Sequence, residues 1–311
     1  MSSKRNILRF TLFWVTAVVL ASCGSTTHDQ REKRRQQQAV LNQRDSLALK
    51  IAVTPTLDCL PIFVAVNTGI FDQLGVMVSL KQMNAQMDCD EAMRKGKIEC
   101  MVSDLMRTER LKHEGIPLTY VTATGMYWQL IGNRKGRVTN ISQMGDKMVA
   151  MTRYSATDYL ATLAIDSVKP ENPVFRIQIN DVLVRLMMLI NNEMDAVLLP
   201  EPQATTARLE HHPVMMDSRS RDIRLGVIAA RASMHNDGYR KKQLDLFVRG
   251  YNMACDSLNE KGLQHYSQVI QDYCHADEAI IKSIPKQTFN HAAQPRQKDI
   301  DRTRNVKWRM S

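Results

Sequence analysis

The sequence predicts an α/β protein in which mainly parallel sheets are flanked by helices. Three observations carry that prediction. From Leu47 onward, short β-rich runs alternate with helix-length segments, the pattern of βαβ units. The alternation occurs twice, before and after about residue 128, and gives way to a mainly helical stretch beyond about residue 226. Finally, 311 residues at 44% hydrophobic, with 13 Gly and 10 Pro, suit one large or two moderate domains with a real core. The same counts exclude disorder throughout, a collagen-like repeat, a small disulfide scaffold and a multi-span membrane protein.

The N-terminus reads as an address. Lys4, Arg5 and Arg9 precede the 11-residue apolar run Phe10–Leu20, too short for the roughly 20 helical residues that cross a bilayer. A basic start, a short apolar stretch and small residues are the parts of an export signal. Leu20-Ala21-Ser22-Cys23-Gly24 resembles the bacterial lipobox, which predicts a lipoprotein signal peptide over 1–22 and a lipid on Cys23. The protein would then be tethered to a bacterial membrane, in the cell envelope, facing the periplasm or the exterior. Residues 24–38 contain no apolar side chain, so 23–46 reads as a flexible tether.

Leu47–Val53 is the first predicted strand, ending at Thr54-Pro55-Thr56. Pro61–Gly69 is a helix with Pro in its first turn and Gly at its end. Val76–Leu80 is a strand, Asp88–Lys95 a helix closed by Gly96, and Ile98–Ser103 a third strand. Strands are predicted at Leu118–Thr124, Trp128–Ile131 and Lys147–Met151, then a helix at Asp158–Ala164. Val174–Ile179, the helix Val182–Ile190 and Asp195–Leu199 follow, stopped by Pro200-Glu201-Pro202. After Leu225–Ala230, the clearest amphipathic helices are Lys241–Glu260 and Gly262–Cys274.

The formal charge of +10 invites a nucleic-acid reading, but its location argues against one. Residues 1–23, 24–50 and 286–311 carry +3, +3 and +5, which leaves 51–285 at −1. A neutral body lacks the basic face that sequence-independent DNA or RNA binding needs. Besides Cys23 there are five cysteines, an odd number, so they cannot all pair internally. Buried free thiols are expected, with a Cys59–Cys89 bridge as the pairing left open. No GxGxxG, P-loop, GxSxG or HExxH motif is present, and no Cys/His spacing fits a zinc site, so neither cofactor nor metal is expected. His211-His212 reads as a solvated loop pair, and the Met187-Met188 and Met215-Met216 pairs as core gap-fillers.

Over about residues 47–285 the chain resembles the periplasmic solute-binding proteins of type II topology, in particular those that bind nitrate, sulfonates such as taurine, and thiamine-pyrimidine precursors. Four segments carry the resemblance. Pro61–Val78, with Gly69-Ile-Phe71 and Gly75-Val76, is similar to the family's first helix and following strand. Ala92–Glu99 resembles its approach to the third strand, with Glu99 where Asp is usual. Met144–Ala150 with Tyr154–Thr157 resembles the second-lobe strand and helix start. Met194–Pro202 is the most specific piece. The resemblance implies a two-lobed, hinged fold, with 47–127 plus 226–311 as lobe 1 and 128–225 as lobe 2. It also implies a non-enzymatic monomer that captures a small organic solute and delivers it to the permease of an ABC transporter.

In open α/β sheets, ligands sit outside the carboxyl ends of the strands. On that ground the candidate ligand-binding residues are Asp58, Ser103, Asp104, Tyr127, Trp128, Tyr154, Ser155, Thr157 and Glu201. Ser155 and Thr157 lie at a helix start that either favours an anion or is simply capped. Tyr127 and Trp128 either wall an organic ligand or pack the hinge. Asp58, Asp104 and Glu201 would repel a sulfonate or nitrate unless paired, with Arg153 as one candidate partner. This favours an organic solute bearing both polar signs. Two alternatives stay open. One is an enzyme of the thiamine-pyrimidine or menaquinone-pathway type on the same fold, although the cysteine-rich CCCFC-type motif of the pyrimidine synthases is absent. The other is a tethered sensor or scaffold.

Overall fold

A computed structural model describes residues 30–36 and 46–304. The predicted signal peptide, Cys23 and most of the predicted tether lie outside the described residues. Within the tether, residues 30–36 form an exposed helical segment. Gln, Glu, Lys and Arg lose little rotamer freedom in a helix, which favours this local order over open coil. Among the described residues, no helix is long and apolar enough to cross a membrane.

In chain order the strands are β1 (Leu49–Val53), β2 (Val78–Gln82), β3 (Cys100–Asp104), β4 (Leu118–Ala123), β5 (Gln129–Gly132), β6 (Met148–Met151), β7 (Phe175–Gln178), β8 (Ala196–Leu199), β9 (Val214–Asp217) and β10 (Gly226–Arg231). They form two five-stranded sheets, ordered β2-β1-β3-β10-β4 and β7-β6-β8-β5-β9. β1 pairs in parallel with β2 and β3, and β6 with β7 and β8, as the βαβ reading requires. The remaining pairings, β10 with β3 and β4 and β5 with β8 and β9, are antiparallel, so both sheets are mixed. The reason is connectivity. β5 and β10 each enter from the other sheet rather than through a helical crossover, so nothing obliges them to run parallel to their neighbours.

Helices cover both faces of each sheet. Leu60–Asn67 and Gly238–Lys261 lie on one side of the first sheet, where Ile51, Val53, Phe63, Val102, Phe247 and Tyr251 build a core. On its other side, Ala52, Met101 and Ala229 pack against Met93 and Leu111. The strands are therefore apolar on both faces, as buried sheets must be. In the second sheet, Leu130, Val149 and Leu198 face Leu160 of the helix Ala156–Val168, while Ile131, Ala150 and Val197 face the helix Val182–Ile190.

Two chain crossings join the lobes, between β4 and β5 and between β9 and β10. They run side by side: Trp128 N–H donates to Ser218 Oγ and Ser218 N–H to Trp128 O, both at 3.0 Å. Thr124 N–H donates to Gly226 O at 2.9 Å. Behind the crossings, Leu105, Met106 and Val227 of the first lobe share a core with Trp128 and Leu160 of the second. The C-terminal segment returns along the same side. Ala123 N–H donates to Ala293 O at 2.7 Å, and Arg302 of the helix Gln297–Arg304 reaches Tyr159 Oη at 3.4 Å.

Several sequence expectations need correction. Cys59, Cys89, Cys100, Cys255 and Cys274 are all free and buried, so Cys59 and Cys89 form no bridge. His212 is buried rather than solvated, and its Nδ1 accepts from Arg134 N–H at 3.2 Å. Met187 is 50% exposed and fills no core gap, because it faces outward from Val182–Ile190. The single helix expected over Gly262–Cys274 is a 3-10 turn, Leu263–Tyr266, followed by the helix Ser267–Cys274.

Candidate functional site

Two clusters form where the lobes meet. The first surrounds a cavity bounded by Leu57 and Asp58 after β1, by Met126 and Tyr127 on the first crossing, and by Pro200 and Glu201 after β8. Tyr251 and the loop residues Gln287–Asn290 close it from the first lobe's C-terminal part. Its free volume is about 30 Å³, room for a water or two. Sites for small organic molecules are roughly 300–1,000 Å³. In this conformation the cavity is too small to hold an organic solute. Direct bonds seal it: Leu57 N–H donates to Glu201 O at 3.0 Å, and Gln203 Nε2 donates to Pro55 O at 2.7 Å.

Around this cavity the charges are mostly consumed by one another. Glu201 Oε1 accepts from Tyr127 Oη at 2.8 Å and from Arg208 Nη2 at 2.7 Å. Its Oε2 accepts from the Thr205 amide at 3.0 Å and hydroxyl at 2.6 Å. Arg219 lies 3.6 Å over the Tyr127 ring and pairs with Asp217 at 2.7 Å. Asp58 is different. Its Oδ1 accepts from Thr56 Oγ1 at 2.5 Å, but its buried Oδ2 has no partner. Burial pushes its carboxyl up to about 6, against the opposing Thr56 hydroxyl and local backbone N–H groups.

The second cluster brings Asp104, at the end of β3, against the loop 152–157 after β6. Asp104 caps the helix Leu105–His113, accepting from Arg107 N–H at 3.0 Å, and the same Oδ1 accepts from Ala156 N–H of the second lobe at 3.1 Å. Asp104 Oδ2 is buried and unpartnered. Burial raises its carboxyl to about 6, although the Arg107 guanidinium favours the charged form. Ser155 caps its own helix, with its Oγ accepting from Thr157 N–H at 3.1 Å and donating to Thr152 O at 2.7 Å. Thr157 Oγ1 accepts from Thr152 N–H at 2.9 Å.

Of the nine candidates, Asp58, Tyr127 and Glu201 line the cavity, and Asp104, Ser155 and Thr157 gather at the second contact. The buried Ser103 side chain bonds only its neighbour's carbonyl, Asp104 O at 3.5 Å, among the described residues. Trp128 is only 1% exposed and packs in the shared core. Tyr154, at a φ of 58°, lies in a separate shallow groove of about 390 Å³ beside Arg153 and Phe175. Arg153 is exposed and is not the acids' partner; Arg208 takes that place for Glu201. Sequence reasoning missed Arg208, Thr205, Gln203 and Tyr251. For the first two a signal existed, since Thr205 and Arg208 follow Glu201 at the four- and seven-residue spacing of one helix face. Among the described residues, no group of three or more His, Cys, Asp or Glu could hold a metal ion.

This architecture is that of the periplasmic solute-binding proteins. The chain superposes on the ligand-binding component of an ABC-type import system from Staphylococcus aureus, solved with zinc bound, at a TM-score of 0.67 and 13% identity, covering 79% of this chain and 86% of that one. The periplasmic aliphatic sulphonate-binding protein of Escherichia coli matches at a TM-score of 0.62 and 13% identity, covering 78% and 80%. The periplasmic nitrate-binding protein of Synechocystis matches at 0.63 and 12%, covering 75% and 68%. No protein-family model and no curated protein matches the sequence. At these identities the likeness establishes the fold.

Proposed function

We propose that this chain is a lipid-anchored solute-binding protein that captures a small organic solute, sulfonate-like or pyrimidine-like, in the interlobe cleft and delivers it to an ABC-type permease. One observation carries the reading most directly. The cavity between the lobes is walled by strand-end loops from both sheets, and one of its lining residues, Asp58, has a buried carboxylate oxygen, Oδ2, that nothing in the protein satisfies. A buried acceptor without a donor costs about 1–3 kcal/mol, a cost that a ligand N–H or O–H would remove. Similarity of fold to importer binding components supports the same reading. No nucleophile–base pair is required, because capture and release need only hydrogen bonds and a closing hinge.

The cell-envelope location rests on the sequence of residues 1–23. Changing Cys23→Ser should move the protein from the detergent phase to the aqueous phase, and unchanged partitioning would refute the anchor. For the solute, full-length protein extracted in detergent should release a small molecule detectable by mass spectrometry. Calorimetry with that molecule should then show Asp58→Ala weakening binding about ten- to a hundredfold, equivalent to about 1.5–3 kcal/mol for a hydrogen bond to a charged group. Unchanged affinity in Asp58→Ala would remove Asp58 from the site.

A further inference from the structure

The second interlobe cluster has the construction of an anion site. The nine-residue helix Leu105–His113 of one lobe and the 13-residue helix Ala156–Val168 of the other direct their N-termini at one point. Free N–H groups and the positive ends of two helix dipoles favour negative charge there. A third source of positive potential is the buried Arg107 guanidinium, which favours the charged form of Asp104, although Asp90 also pairs with it at 2.5 Å. Arg185 is 2% exposed and bonds Thr152 Oγ1 at 2.8 Å, at the base of the loop leading into the second helix. Its other bonds go to the carbonyls of Ile179 and Leu198 rather than to a carboxylate. Burial lowers its pKa to about 10 against the opposing charge of Asp181, so Arg185 anchors the loop rather than supplying charge at Asp104.

That point is filled by the protein itself. Asp104, 1% exposed, places one carboxylate oxygen on the N–H groups of both helices, Arg107 at 3.0 Å and Ala156 at 3.1 Å. Its second oxygen is buried with no donor, so the carboxylate occupies an oxyanion position with unspent acceptor capacity. We propose that Asp104 is a specificity-determining residue, a built-in anion that occupies the paired helix N-termini and so excludes free oxyanions such as sulfate, sulfonate or nitrate from the cleft. A free oxyanion entering there would have to displace Asp104 and would then meet its charge at close range. This inference rests on the interlobe cleft being the ligand site. It narrows that reading, setting aside the sulfonate-like class and keeping the pyrimidine-like one, whose N–H donors could meet Asp58.

The test is a gain of binding. Asp104→Ser keeps a good N-cap residue for Leu105–His113 while removing the carboxylate, and Asp104→Gly, also an accepted N-cap, is the second variant should the first fail to fold. Calorimetric titration with sodium sulfate and with methanesulfonate, on protein whose folding is verified by circular dichroism, should show saturable binding to the variant at least about tenfold tighter than to the wild type. Wild-type protein that binds either anion as tightly as the variant would overturn the inference. So would a folded variant that binds neither. Because the probes are inorganic sulfate and a simple sulfonate, this outcome is independent of whether wild-type protein releases a solute, the result on which the solute-binding reading stands or falls.

Discussion

Asp58 and Asp104 make an unusual contribution to pH-dependent stability. Burial raises both from an ordinary 3.8 to about 6. A carboxyl whose folded pKa exceeds its unfolded one binds protons more tightly when folded. Its contribution is therefore full below about pH 3.8 and lost as pH rises through about 6. Going from pH 7.5 to pH 5, each should add about 1.4 kcal/mol. Around Asp104 the charged groups are Arg107, which opposes protonation, and Asp90, which favours it; around Asp58 the Arg107 charge is the main distant influence. Asp217 and Glu109, held low by Arg219 and Lys112 despite burial, lose their stabilisation only below about pH 4. His212, lowered by burial, opposes the trend as pH falls through its range. Calorimetric scans should show a Tm several degrees higher at pH 5 than at pH 7.5. In Asp104→Ser the rise should be distinctly smaller, and this comparison cancels the His212 contribution. Equal slopes in the two proteins would show that Asp104 is not held protonation-prone by its burial.

At the scale of elements, the joint between the lobes depends on the absence of one side chain. A Cβ on Gly226 would lie 2.2 Å from Thr124 Oγ1 and 2.6 Å from Met126 Cβ, so β10 can pass the first crossing only as glycine. Met126 Cβ is fixed to backbone and cannot swing away, so Gly226→Ala should destabilise by about 2 kcal/mol or more, read from urea midpoints. A loss under about 0.5 kcal/mol would mean that the crossings yield easily. Nothing in the sequence pattern singled out Gly226, because its constraint comes from a strand joined to it only in space. The same division runs through the fold. Val182–Ile190 was legible from its own residues, an apolar run after Asp181, whose side chain accepts from Leu183 and Val184 N–H. The short strand β9 and the polar helix Leu105–His113 were not legible; Leu105–His113 owes its start to the Asp104 cap and its place to Arg107 and Arg110 gripping buried Asp90 at 2.5 and 2.6 Å. At the cavity, strand ends led to Asp58, Tyr127 and Glu201, whereas Tyr251 and Gln287–Asn290 arrive from distant segments with no motif of their own. Local pattern finds what strands present, and it cannot find what a remote loop lays over them.

For the molecule as a whole, a cavity of about 30 Å³ means that the lobes would have to part for the proposed solute to enter. The crossings and the shared core at Trp128, Leu160 and Val227 lie on one side, so opening there would be costly, while across the cleft the contacts include Leu57–Glu201, Gln203–Pro55, Ala156–Asp104 and a β-bridge between Ala85 and Asp181. Two of those contacts, Leu57 N–H to Glu201 O and Ala156 N–H to Asp104 Oδ1, use backbone amides and must break when the cleft opens. The amides of β1 and β8, bonded within their own sheets, need not. Native-state hydrogen exchange separates the two cases, because local opening requires less free energy than global unfolding. Leu57 and Ala156 should exchange together, at least about tenfold faster than the central residues of β1 and β8, and both should slow when the released solute is added back. In Asp104→Ser, which removes the carboxylate acceptor of the Ala156 amide, the Leu57 amide should exchange faster although its own bond to Glu201 is untouched, if the opening is a single motion of the lobes. Exchange of Leu57 that ignored both the solute and the Asp104 substitution would show that the two contacts open independently, and a hinged closure of the cleft would have to be abandoned.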